Sequence, residues 1–204
     1  MRSKAFLLTL IWVVFACSLS DVKTNAYSGA AGVRMVHTLV DVESADIYLN
    51  DTLIGTVAYG GAAPYMRLNA GDVTVRAFAP GTGPDGVPVF EENFVISDGQ
   101  HVNVALIGTA AESRLGVYPI DLTPMGDNFG VSHVNLIHAV AGGDPMTVTA
   151  TDRDGSVTTL VENLAFGASV AFDLPAGSHL LNAGDVLQDV ALNGNGDMTF
   201  AVFV

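Results

Sequence analysis

The chain has 204 residues, one cysteine, 21 acidic residues against 8 basic ones and a formal net charge of −13. A single cysteine excludes a disulfide scaffold, and the acidic balance excludes a nucleic-acid partner, which needs a basic face. Hydrophobic residues make up 50% of the chain, too many for a disordered acidic polymer, which leaves a folded acidic protein with room for one or two small domains.

At the N-terminus, Arg2 and Lys4 precede the uncharged run FLLTLIWVVFA, residues 6–16. A helix needs about 20 apolar residues to span a bilayer. This run has instead the length of the apolar core of a secretory signal. Small residues follow, and cleavage after Ser20 or Ala26 suits them. Residues 1–26 therefore read as signal peptide and leader, outside the fold. Cys17 offers an alternative. The tetrapeptide VFAC, 14–17, is similar to the lipobox of bacterial lipoproteins: Val14 and Ala16 fit, while Phe15 is larger than that position usually takes. Either route predicts a protein secreted, periplasmic or held at the cell surface, touching membrane only through the signal or a lipid anchor. Loss of residues 1–26 also removes both lysines, so the acidity belongs to the exported part.

Beyond the leader, one pattern occurs twice. VRMVHTL at 33–39 corresponds to VNLIHAV at 134–140, Ala58-Tyr59-Gly60 to Ala165-Phe166-Gly167, and Leu68-Asn69-Ala70-Gly71 to Leu174-Pro175-Ala176-Gly177. Each copy ends on a turn, Ser97-Asp98-Gly99 or Asn193-Gly194-Asn195-Gly196, and then an alternating strand. The landmarks keep their order, which predicts two homologous domains, 33–119 and 131–204, joined by a linker at 120–130 that contains Pro124, Gly126 and Gly130.

Locally the pattern is β. Ala45, Ile47 and Leu49 alternate with polar neighbours, as do Val73, Val75 and Ala77; Val102, Val104 and Leu106; and Met146, Val148 and Ala150. Period-two alternation puts one side of a strand on a core and the other in water. Turn residues such as Asp98-Gly99, Asp154-Gly155 and Ala176-Gly177 separate the runs. Short strands at this spacing predict two tandem immunoglobulin-like antiparallel β-sandwiches.

VRMVHTLVDVESADIYLND at 33–51, with Tyr59-Gly60 and Leu68-Asn69-Ala70-Gly71, resembles the opening of the DUF4397 domain. The second copy resembles it less closely. It keeps Val134 to His138, Phe166-Gly167 and Leu174 to Gly177, but has Met146-Thr147-Val148 where the family has an acidic residue and a tyrosine. Neither copy has the proline-containing stretch usual straight after the histidine. The resemblance implies a secreted or surface-anchored prokaryotic β-sandwich, from a family with no assigned activity.

His37 and His138 lie on the apolar side of their strands, near a strand end, and read as structural: a ring that packs and hydrogen-bonds a loop carbonyl. Two turns alternate oxygen-bearing side chains, Asp152 and Asp154 in one, Asn193, Asn195 and Asp197 in the other. These are candidate calcium ligands, set against the plain reading of hairpin turns, since no distal bidentate glutamate completes either loop. The proline-rich loop at 80–88 suits either recognition or a neutral insertion. No G-x-S-x-G elbow or phosphate loop is present, and Glu91 and Glu92 point to opposite faces of a strand.

The sequence thus predicts a non-catalytic envelope or extracellular module with no cofactor, acting on other envelope or extracellular proteins or on glycans. The rivals are a calcium-dependent or carbohydrate-binding module and a hydrolase with an interdomain site.

Overall fold

The structure is a computed structural model and describes residues 13–18, 30–120, 130–184, 187–194 and 198–203; for 13–18, 187–190, 193–194 and 198–203 it describes the backbone only. A short strand, β1 (Val13–Ser18), comes first. The first half of the chain then forms β2 (Ala31–Leu39), β3 (Ser44–Leu49), β4 (Thr52–Ala58), β5 (Met66–Leu68), β6 (Gly71–Phe78), β7 (Phe90–Ile96), β8 (His101–Gly108) and β9 (Ser113–Pro119). The second half forms β10 (Val131–Ile137), β11 (Met146–Thr151), β12 (Val157–Leu164), β13 (Ser169–Pro175), β14 (Gly177–Ala183), β15 (Leu187–Gly194) and β16 (Met198–Phe203). Among the described residues there is no helix.

These strands make four four-stranded sheets. In the first half, β5-β2-β8-β9 packs against β4-β3-β6-β7; in the second, β13-β10-β16-β1 packs against β12-β11-β14-β15. Replacing β2 by β10, β3 by β11, and so on to β8 by β16, converts one pair of sheets into the other. All neighbours are antiparallel except β2 with β8 and β10 with β16. The fold is all-β, as the alternation predicts, with one parallel pair added in each half. The last sheet position differs in origin. Beside β8 stands β9, the next strand in the chain; beside β16 stands β1, from the segment expected to lie outside the fold.

The alternating residues supply the cores. Ala45, Ile47 and Leu49 of β3, Val73, Val75 and Ala77 of β6, and Val102, Val104 and Leu106 of β8 meet in the first. Val134 and Leu136 of β10, Met146, Val148 and Ala150 of β11, and Leu181 of β14 meet in the second. Burying one of these valine, leucine, isoleucine or methionine side chains is worth about 1.5–3 kcal/mol, and period two delivers several apolar residues per strand to the same face. The repeated Ala-Gly landmark has a backbone reason. Gly71 and Gly177 open β6 and β14 at φ 137° and 144°, a region costly for a residue with a Cβ.

Candidate functional site

The two sequence-singled histidines sit in one backbone clasp, built twice. His37 donates its N–H to the Gly61 carbonyl, and its own carbonyl accepts from Gly60 N–H. His138 does the same with Ala168 and Gly167. Gly60 and Gly167 take matching φ values of 73° and 76°, which let the turn close back on the strand. In each ring Nδ1 accepts the backbone N–H two residues on, from Leu39 or Val140, and each ring makes a T-shaped contact with the aromatic of the turn, Tyr59 or Phe166. On the far side, His138 Nε2 hydrogen-bonds the Asp144 carbonyl at 3.2 Å. His37 Nε2 makes no bond of normal geometry. Burial lowers the His37 pKa, and a weaker backbone interaction with Val42 opposes that. Both rings are fully buried, so neither can reach a substrate.

A third apolar cluster joins the halves. Val36, Ala105, Ile107 and Tyr118 from the first meet Ile137 and Ala139 from the second, with Ala62 and Phe166 at its rim. Polar contacts lock it. The Arg114 guanidinium lies 4.5 Å from the centre of the Phe166 ring and donates to the Phe166 carbonyl at 2.5 Å. The Tyr118 hydroxyl donates to the Gly167 carbonyl at 3.2 Å, and Asn135 Nδ2 donates to the Pro119 carbonyl at 3.1 Å. A Cβ on Gly167 would collide with the Arg114 guanidinium, so close approach as well as φ requires glycine there. Burial raises the Tyr118 pKa to about 12, partly offset by the positive charge of Arg114. The tyrosine therefore stays a neutral donor over the physiological range.

Beside this junction a cleft of about 690 Å³ is lined by Pro119 and Ile120 of the first half and by His133, Asn135, Ala171 and Asp173 of the second. His133 and Asp173 face each other across β10 and β13, and His133 Nδ1 hydrogen-bonds Asp173 Oδ1. A carboxylate on Nδ1 fixes the imidazole orientation and favours Nε2 as a proton acceptor. The neighbouring Ser132 is buried on the opposite side of β10 and has no hydrogen-bond partner, so it supplies no nucleophile to this pair.

The other sequence candidates do not converge. Asp152 Oδ1 accepts the N–H groups of Asp154 and Ser156 at 3.0 and 2.9 Å, the self-capped turn that aspartate favours. Asn193 is paired with Ser178 at the end of β15, while Asn195 and Asp197 lie outside the described residues. Among the described residues, no three His, Cys, Asp or Glu side chains gather where they could hold a metal. Cys17 lies in β1, its side chain outside the described part, and most of the expected linker, 121–129, is likewise outside it. The 80–88 loop is tied at its base by buried Asp46, whose Oδ2 accepts from Gly81 N–H at 2.8 Å. Sequence reasoning missed Arg114, Tyr118, Asn135 and the His133–Asp173 pair, since only the strand register and the docking of the halves bring them together.

Residues 31–129 match the model of the family described as "Domain of unknown function (DUF4397)". No curated protein matches the chain. Among solved structures it is similar to one titled "The Bacillus anthracis TIE protein", at 12% identity and a TM-score of 0.29, over 86% of this chain and 33% of that one. The chain spans about a third of that protein's length, and a likeness this weak carries no argument about role.

Proposed function

We propose that this chain, whose residues 31–129 match the DUF4397 family model, is an exported, non-catalytic β-sandwich protein of the cell envelope or exterior. It serves as a structural, adhesive or ligand-presenting module. The observation that carries this reading is the lock between the halves. Arg114 and Tyr118 of one half grip the carbonyls of Phe166 and Gly167 in the other, over a shared apolar cluster. Two sandwiches held this way form a stiff unit that presents loops and sheet edges at a fixed spacing to envelope proteins or glycans. The acidity keeps it soluble and off anionic surfaces. The test is to express the full chain with its own N-terminus in a bacterial host and measure location and intact mass. Recovery outside the cytoplasm, with the chain starting after Ser20 or Ala26 or at a lipidated Cys17, supports the reading. Full-length mass in the cytoplasm overturns it.

One observation favours a second reading, hydrolysis in the cleft between the halves. His133 paired to Asp173 beside a cleft is the arrangement a general base acting on water requires. Turnover of ester or amide substrates that His133→Ala abolishes would establish it; absence of turnover in the parent protein removes it.

A further inference from the structure

The two halves are built alike except at one strand position. Beside β8 the sheet is completed by β9, with Val102 opposite Pro119 and Gly108 opposite Ser113. Beside β16 the same place is taken by β1, with Val13 opposite Phe203 and Ser18 opposite Met198. Both completing strands run antiparallel to their neighbour. One follows in sequence, whereas the other comes from the opposite end of the chain, out of the segment proposed above to be removed on export. We infer that β16 is a strand acceptor: once the leader is removed its outer edge opens, and β16 of a second copy fills it across a two-fold axis. The inference rests on the export reading.

An open edge is a row of free N–H and C=O groups, a template for another strand, and proteins usually guard such edges with charge, proline or a bulge. Apart from β1 itself, the edge strands β4, β7, β9, β12 and β13 carry those guards. In β9, Pro119 and Arg114 stand in the strand, and the Glu92 carboxylate takes the Leu115 N–H at 2.8 Å. The edge strand β13 contains Asp173 and Pro175, β7 contains Glu91 and Glu92, and β12 contains Glu162. The edge strand β4 has Gly55 and a register shift against β3. By contrast β16 reads MTFAVF, with no charge, proline or glycine. It has the composition of a strand meant to be covered on both sides.

The direction of pairing selects a second copy as the occupant. This edge already accepts an antiparallel strand, and a two-fold axis beside β16 sets two copies of β16 antiparallel. The contact is then self-complementary and closes as a dimer, not as an open fibre. The sheet β13-β10-β16 continues into its counterpart as six strands, and the acidic residues that make each copy repel the other lie outside the contact strand.

The experiment starts from the protein recovered after export by a host carrying the full chain, with intact mass measured first. Mass then size: light scattering on the processed protein should give twice the chain mass. The probe is a peptide of residues 12–20 with Cys17→Ser. It carries Trp12, the chain's single tryptophan, so its emission reports docking onto a protein that has none after processing. Excess peptide should convert dimer to monomer while the Trp12 anisotropy rises. A processed protein that is monomeric overturns the inference, as does a dimer that the peptide neither binds nor splits. If no chain is recovered outside the cytoplasm, or if its mass still includes residues 13–18, the export reading with its removed leader has failed and the edge never opens. The mass and the assembly state therefore separate the two failures.

Discussion

The histidine clasps of the two halves share backbone bonds, glycine conformation and ring geometry, yet their aromatic residues do different work. Tyr59 meets His37 within the first half. Phe166 meets His138 in the same T-shaped way and also carries the Arg114 guanidinium over its ring, while its own carbonyl and that of Gly167 receive hydrogen bonds from the first half. A turn that merely closes one sandwich is, in the other, the platform on which the neighbour docks. The repeat thus fixes where a turn sits, and the groups that meet it from the other half, the Arg114 guanidinium and the Tyr118 hydroxyl, make it a joint between two bodies.

That contrast can be broken from several sides. The largest effect is expected in the cores: Ile47→Ala in the first half and Leu181→Ala in the second, both fully buried, should each cost about 2–5 kcal/mol. Because the halves share a third cluster, both variants should move one common transition in chemical denaturation. Next, Arg114→Ala removes a cation–π contact and a charge-assisted hydrogen bond at the docked turn, a loss of about 1–2 kcal/mol, and should split that transition in two. Tyr59→Phe, at the turn whose aromatic meets only its own half's histidine in this clasp, should leave a single transition.

Smaller effects are expected with pH. Tyr118 titrates near 10.0 when unfolded and at about 12 in the fold, so the unfolded chain loses this proton first. Its stabilising contribution is complete below pH 10 and is lost as pH rises toward 12; thermal melts across that window should show the decline, and Tyr118→Phe should flatten it. His37 behaves in the opposite sense. Burial lowers its pKa below 6.5, so the unfolded chain takes up the proton first and stability falls as pH drops below 6.5, a decline that His37→Gln should reduce. The smallest effect is expected at the exposed turn, where Asp152→Ala leaves two N–H groups to water. It should lower stability by about 1 kcal/mol or less, with or without added calcium in a melting curve.

The strands were legible because alternation is local: Ile47 and Leu49, or Val148 and Ala150, announce their inward face within a few residues. The repeated landmarks were legible because each meets a backbone demand, such as the φ of Gly71 and Gly177. The parallel pairing of β2 with β8 left no such mark, since register between distant strands is set by packing and not by neighbours in sequence. Arg114 alternates with Leu115 like any solvated strand residue, and nothing in its own segment points to Phe166. His133 and Asp173 lie on separate strands with no motif spacing, so their meeting waits on the β10–β13 register.

The parallel pair has a consequence for the order of events as the chain is made. Thr38 on β2 hydrogen-bonds the Leu106 carbonyl on β8, 68 positions away, so the first strand of the half waits for its seventh before the sheet is whole. Closing a loop of that length delays the non-local step, and topologies dominated by such contacts fold slowly. A chain emerging N-terminus first therefore stays unfinished until nearly all of a half has appeared, and its earliest strand spends that interval without the neighbour that completes it.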